Sequence, residues 1–228
     1  MRNALKAAAA CVASIVLGVD LAQGADTNAA ELPSCGPMRQ VDTAEGLMDY
    51  RLKDVSASVK KGVRDLDTFH TRPALELMKT GSVYRSVKAD LDFSLRYSPN
   101  HHGALRALLQ YERAGGKAHD FPPTECYFAW AQEFMPDDAD VWLISGYLFW
   151  SKKNFAAAEA AYQRALTLKP DSVDAHYNLG LLYAEMAKYD QALEHAHAAY
   201  KAGYPLPGLR QKLERAGKWR EPSAQAAD

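Results

Sequence analysis

A chain of 228 residues, 48% apolar and 24% charged, is long enough to bury a core and too apolar to remain unfolded. Its net charge of -1 and pI near 6.7 exclude nucleic acid and anionic membranes as partners held by bulk charge.

The first 25 residues have the three-part layout of a secretory signal. Arg2 and Lys6 are basic, and Ala7 to Gly18 is an apolar run of mostly small residues. Leu21-Ala22-Gln23-Gly24-Ala25 then offers small residues for cleavage. The apolar run is short for a span needing roughly 20 residues. Residues 1–25 are therefore expected to be a cleaved signal peptide; the alternative is an uncleaved anchor. The mature protein is expected to be periplasmic or secreted, with no stable membrane span. Cys11 would leave with the signal. Cys35 and Cys126 remain, an even pair in an exported chain, and a disulfide between them is expected; the alternative is two free thiols.

Residues 26–81 are expected to be an N-terminal extension. Small, polar and turn-forming residues dominate 26–50. Val55, Val59, Val63, Leu66 and Phe69 then recur at helical spacing, with Gly62 and the β-branched residues against it. Thr71 is placed to cap a short helix, with Pro73 in its first turn and Gly81 at its end. Ser82 is placed to cap the next helix, 82–98. Tyr84, Val87, Leu91 and Leu95 share one of its faces, and Ser98-Pro99 stops it.

From here the chain repeats. Pro99, Pro136 and Pro170 lie 37 and 34 residues apart, and each is placed to end a helix. Counting Ala139 as one, Trp142, Gly146, Phe149, Ala158, Tyr162, Ala165 and Pro170 stand at 4, 8, 11, 20, 24, 27 and 32. Counting Val173 as one, Leu179, Gly180, Tyr183, Ala192 and Ala199 stand at 7, 8, 11, 20 and 27. On these residues, segments 137–170 and 171–204 resemble tetratricopeptide (TPR) repeats, and the chain resembles an exported bacterial TPR protein. Segment 99–136 resembles a degenerate repeat. Its first helix is expected over His102–Ala114 and its second over Thr124–Phe134, with a long turn between. A capping helix over 205–219, with Leu209, Leu213 and Ala216 on one side, and a disordered tail over 220–228 complete the chain.

The resemblance implies an all-α fold. It is a short right-handed TPR superhelix of about three helix-turn-helix repeats, with a helical N-terminal extension and a C-terminal capping helix. It also implies a concave face lined by the first helix of each repeat, with contacts from positions 2, 5, 9, 12 and 13. Carried onto this chain, those are Asp140, Leu143, Tyr147, Trp150 and Ser151, then Asp174, Tyr177, Leu181, Ala184 and Glu185. Leu143, Tyr147, Trp150, Tyr177 and Leu181 would form an apolar strip, with Arg106, Gln110 and Arg113 of the degenerate repeat beside it. Aromatic anchors of this kind dominate binding energy at interfaces. The strip has a rival occupant in the chain itself: the N-terminal segment or the capping helix could fold over it.

The expected function is a non-enzymatic adaptor or scaffold that binds a protein or peptide of the cell envelope. No catalytic motif, metal-ligand spacing or phosphate loop is present, so no catalytic residue, metal or cofactor is expected. Asp137, Asp138, Asp140, Asp171 and Asp174 stand where helix starts favour caps and negative charge. Two other roles fit the same residues. One is a structural subunit of a secretion, pilus or polysaccharide-export complex. The other is a periplasmic metal- or haem-handling protein using His101, His102 and His119.

Overall fold

The structure is a computed structural model, and it describes residues 35–38, 46–53, 55–117 and 120–222. The expected signal peptide, His119 and the last six residues lie outside the described residues. Among the described residues the fold is all helical, and no helix is long and apolar enough to cross a membrane.

Helix α1 (Ala57–Leu66) begins at Ser56, whose hydroxyl accepts from the Val59 amide. It does not stop where the sequence suggested. A π-helical turn, Asp67–Thr71, carries it directly into α2 (Arg72–Lys79). Thr71 is therefore not a cap. Its backbone is helical, and its hydroxyl bonds Ser94 at 3.1 Å instead. The Arg72 amide reaches back to the Asp67 carbonyl, and this wider turn precedes Pro73, which has no amide to give. Gly81, at φ +78, ends the rod as expected. The next helix, α3 (Arg85–Tyr97), starts after Tyr84, because the Ser82 hydroxyl pairs with Thr80 and caps nothing.

The repeat region follows as α4 (His102–Arg113), α5 (Thr124–Phe134), α6 (Ala139–Ser151), α7 (Phe155–Leu168), α8 (Val173–Glu185) and α9 (Tyr189–Lys201). Side chains cap most of these starts. Asp138 accepts from the Asp140 amide at α6, Asn154 from Ala157 at α7, and Ser172 from Ala175 at α8. The α6–α7 and α8–α9 turns are built alike. Lys153 and Ala187 take positive φ, and the next amide returns to Phe149 or Tyr183, both at position 11.

The core has two parts. One joins α2 to α5 with Val141, Ile144 and Leu148 of α6. The other joins α7 to α10 with Leu143 of α6. Helix α6 thus faces both, which is why its sequence is apolar almost all round. Gly146 is the closest approach: its Cα lies against the Tyr162 ring, with no room for a side chain. Ala158 and Ala192, the small residues of the second helices, are fully buried.

The first and last described segments are tied down. Cys35 and Cys126 form a disulfide with Cα atoms 5.3 Å apart, fastening the lead to α5, and the Trp130 indole donates to the Gly36 carbonyl alongside. The Met48 amide bonds the Tyr97 carbonyl, and the Tyr50 amide bonds the Asn100 side chain. At the far end α10 (Gly208–Arg215) buries Leu209 and Leu213, and is shorter than expected. The first tail residues are held. Arg220 pairs with Asp190, and Glu221 accepts from Arg210 and Trp219.

Candidate functional site

Two adjoining cavities open between the first helices of successive helix pairs. The larger, about 680 Å³, lies between α4 and α6. The smaller, about 400 Å³, lies between α2 and α4, and Gln110 and Arg113 line both. Together they form one groove across α2, α4 and α6. Apolar floor comes from Leu75, Met78, Leu109 and Ile144, and aromatic wall from Tyr147 and Trp150.

The helix register explains who faces the groove. Arg106, Gln110 and Arg113 fall at steps of four and three along α4, so they share its outer face. Tyr147 and Trp150 are three apart on α6. Tyr147 is 39% exposed, and its ring sits edge-on to Tyr162 with centroids 6.0 Å apart. Burial pushes its phenol above the ordinary value, so it stays neutral.

The groove is basic. Arg106, Arg113, Lys152 and Lys153 line the larger cavity against one acid, Glu112. Three of these cations already have carboxylates. Arg106 stands 3.8 Å from Asp140, Lys152 pairs with Glu125 and Glu112, and Lys153 bonds Glu185 at 3.0 Å. Arg113 is exposed and has no acidic partner among the described residues. Burial works against the Lys152 charge, but the Glu125 hydrogen bond and the two glutamate charges outweigh it and raise its pKa.

Six expected contact residues therefore meet at the groove: Arg106, Gln110, Arg113, Tyr147, Trp150 and Ser151. Leu143, Tyr177 and Leu181 of the expected strip do not line it, and neither do Asp140, Asp174, Ala184 and Glu185. Leu143 is 3% exposed, packed into the second core, and Leu181 lies partly buried against the same core. Tyr177 is 6% exposed, because the chain after α9 folds back and stacks Tyr204 on its ring at 3.9 Å. The turn after α9 thus covers that end of the strip. The described part of the N-terminal lead packs elsewhere, on α1, α3 and α5. Lys152 and Lys153 were missed. They sit in the turn just past position 13, and their place beside Ser151 was the available signal.

Residues 146–187, from the second half of α6 through α7 and α8, match the family model described as a TPR repeat. This segment is similar to a TPR repeat. The Caenorhabditis elegans "Tetratricopeptide repeat-containing protein trd-1" is 29% identical over 77 residues, 34% of this chain and 10% of that protein. The matched stretch is thus a small part of the worm protein's length. Gly146 and Gly180 stand at close helix crossings, and Tyr183 joins α8 to α7 by donating to Glu159 and accepting from Gln163.

The histidines near α4 serve the fold. His101 is fully buried; its Nδ1 accepts the Ala104 amide and its Nε2 faces Asp67 at 3.3 Å. Burial pulls its imidazolium down to about 4, which keeps this neutral cap intact. The His102 Nε2–H donates to Asp138 at 2.9 Å. His102, Asp138 and Asp140 could offer one ligand atom each to a cation. The Asp138 oxygens, however, already accept from Asn100, His102 and the Asp140 amide.

Burial alone would raise the Asp138 carboxyl. Hydrogen bonds from His102 and Asn100, with the Arg51 charge, outweigh it and hold the carboxyl below its ordinary value. The folded pKa lies below the unfolded one, so this stabilisation is complete above the unfolded value of about 4 and is lost as pH falls through the folded value. Asp138→Asn keeps a good cap and removes the charge. Urea unfolding from about pH 6 down to about pH 3 is expected to show a shallower loss of stability for this variant. Parallel loss in both proteins would refute the assignment.

Proposed function

We propose that this chain is a non-enzymatic adaptor that holds an acidic segment of another protein in the α2–α4–α6 groove. The observation that carries this reading is the pairing of Tyr147 and Trp150 with four cations around one cavity, Arg113 among them without an acidic partner among the described residues. Aromatic walls supply desolvated contact area, and guanidinium groups match carboxylates with two parallel bonds. The TPR repeat supports a protein partner. The signal-like first 25 residues and the Cys35–Cys126 bridge support an exported, oxidising location such as a bacterial periplasm.

The test is crosslinking in the native cell, then purification of the protein and mass spectrometry. A reproducible partner is expected, and Tyr147→Ala with Trp150→Ala should reduce its recovery at least roughly tenfold at unchanged helicity. Full recovery by the folded double variant would place the contact elsewhere. A second reading, a structural subunit of an envelope assembly, draws on Phe69, Tyr84 and Phe93, which stay 65%, 66% and 40% exposed near the N-terminal end. A partner lost on replacing Phe69 and Phe93, and kept by the groove variant, would favour it.

A further inference from the structure

Glu185 stands at position 13 of the repeat after the groove, at the C-terminal end of α8. Its carboxylate is shared across the helix pair. Oε1 accepts from the Lys153 ammonium at 3.0 Å, and Oε2 accepts from the Trp150 indole N–H at 3.0 Å. Lys212 of α10 approaches the same carboxylate at 4.0 Å. The Lys153 hydrogen bond holds the Glu185 carboxyl below its ordinary value, so it is charged at neutral pH.

Both donors line the larger cavity. Glu185 therefore uses one groove cation and the one polar atom of the groove's indole, the two groups that an incoming carboxylate needs at that end. We propose that Glu185 is a resident competitor: a carboxylate of this chain that occupies the ligand's place on Lys153 and Trp150 until an acidic partner displaces it. This rests on the groove reading above and adds a regulatory contact to it.

The energetics suit a gate that yields. Lys153 is well exposed, and an exposed ion pair contributes little because water screens it. A partner carboxylate anchored on Arg113 enters as part of a longer ligand, so its second contact is effectively intramolecular. A weakly acidic or neutral segment lacks that anchor and leaves Glu185 in place. Glu185 thus raises the threshold of negative charge that a partner must carry.

Fluorescence anisotropy with a fluorescein-labelled oligoglutamate peptide tests this on the mature chain. Glu185→Gln keeps an acceptor for the indole and removes the charge. It is expected to bind the peptide roughly two- to five-fold tighter than the parent, the range set by one exposed ion pair. Its affinity should also fall more steeply with added salt. Adding Lys153→Ala should cancel the gain, and Arg113→Ala should weaken binding in either background. If the parent binds and Glu185→Gln gains nothing at unchanged helicity, Glu185 only positions Trp150 and the competitor role fails alone. If neither protein binds the peptide, the acidic-groove reading falls and this proposal with it.

Discussion

Gly146→Ala is expected to destabilise the protein by about 3 kcal/mol, the upper end for overpacking a rigid core. A Cβ there would lie no more than 2.6 Å from three atoms of the Tyr162 ring, not beside a movable chain end. Tyr162 has little room to withdraw, because its ring is fully buried in the second core. The same change at Gly180 is the control. There the added carbon meets mainly the Leu209 Cδ2 at 2.6 Å, the end of a flexible chain, and the Ala192 carbonyl at 3.3 Å. Alanine also gains about 1 kcal/mol over glycine inside a helix at either site, which offsets a larger share of the milder Gly180 clash. Thermal unfolding should therefore show Gly146→Ala lowered by roughly 6–12 °C and Gly180→Ala changed far less. Equal shifts would show that the two crossings are packed alike.

Serine at both Cys35 and Cys126 is expected to remove as much as about 4–5 kcal/mol, the loop-closure entropy of a bridge between residues 91 apart. The loss should be local. The bridge encloses α1 to α5, whereas the second core runs from α6 to α10. In a repeat array each unit is stabilised by itself and its neighbours, so the C-terminal half should keep its own midpoint. Trp130 belongs to the first core, and Trp142, Trp150 and Trp219 pack on the second. Urea titration with single-tryptophan versions should move the Trp130 transition to lower denaturant and leave Trp219 nearly in place. A common shift at both probes would mean that the two cores unfold as one unit.

The repeat region was legible because its constraints are local and periodic. Prolines stop helices, small residues mark crossings, and short polar side chains cap helix starts. Thus α4 and α5 start at His102 and Thr124, and the all-α class follows. Where a residue's role depends on distant packing, the sequence was weaker. Thr71 looks like a cap until Ser94 and the π turn engage it. Tyr177 looks like a groove residue until Tyr204, beyond α9, stacks on it. Arg220 and Glu221 looked free until Asp190 and Arg210 engaged them. Position counting found Tyr147 and Trp150, but it could not show that Glu185 bonds the latter across a helix pair.

Helix α6 has few positions left to vary. One side is committed to Val141, Ile144 and Leu148 in the first core, another to Leu143 in the second, and Gly146 to Tyr162. What remains open toward the groove is Tyr147, Trp150 and Ser151. Inheritance can alter Ser151 freely, and Tyr147 and Trp150 at the edge of the second core at less cost than the buried positions of this helix. A lineage that changed its partner would have to record the change there, on α4, or in the lysines of the turn that follows.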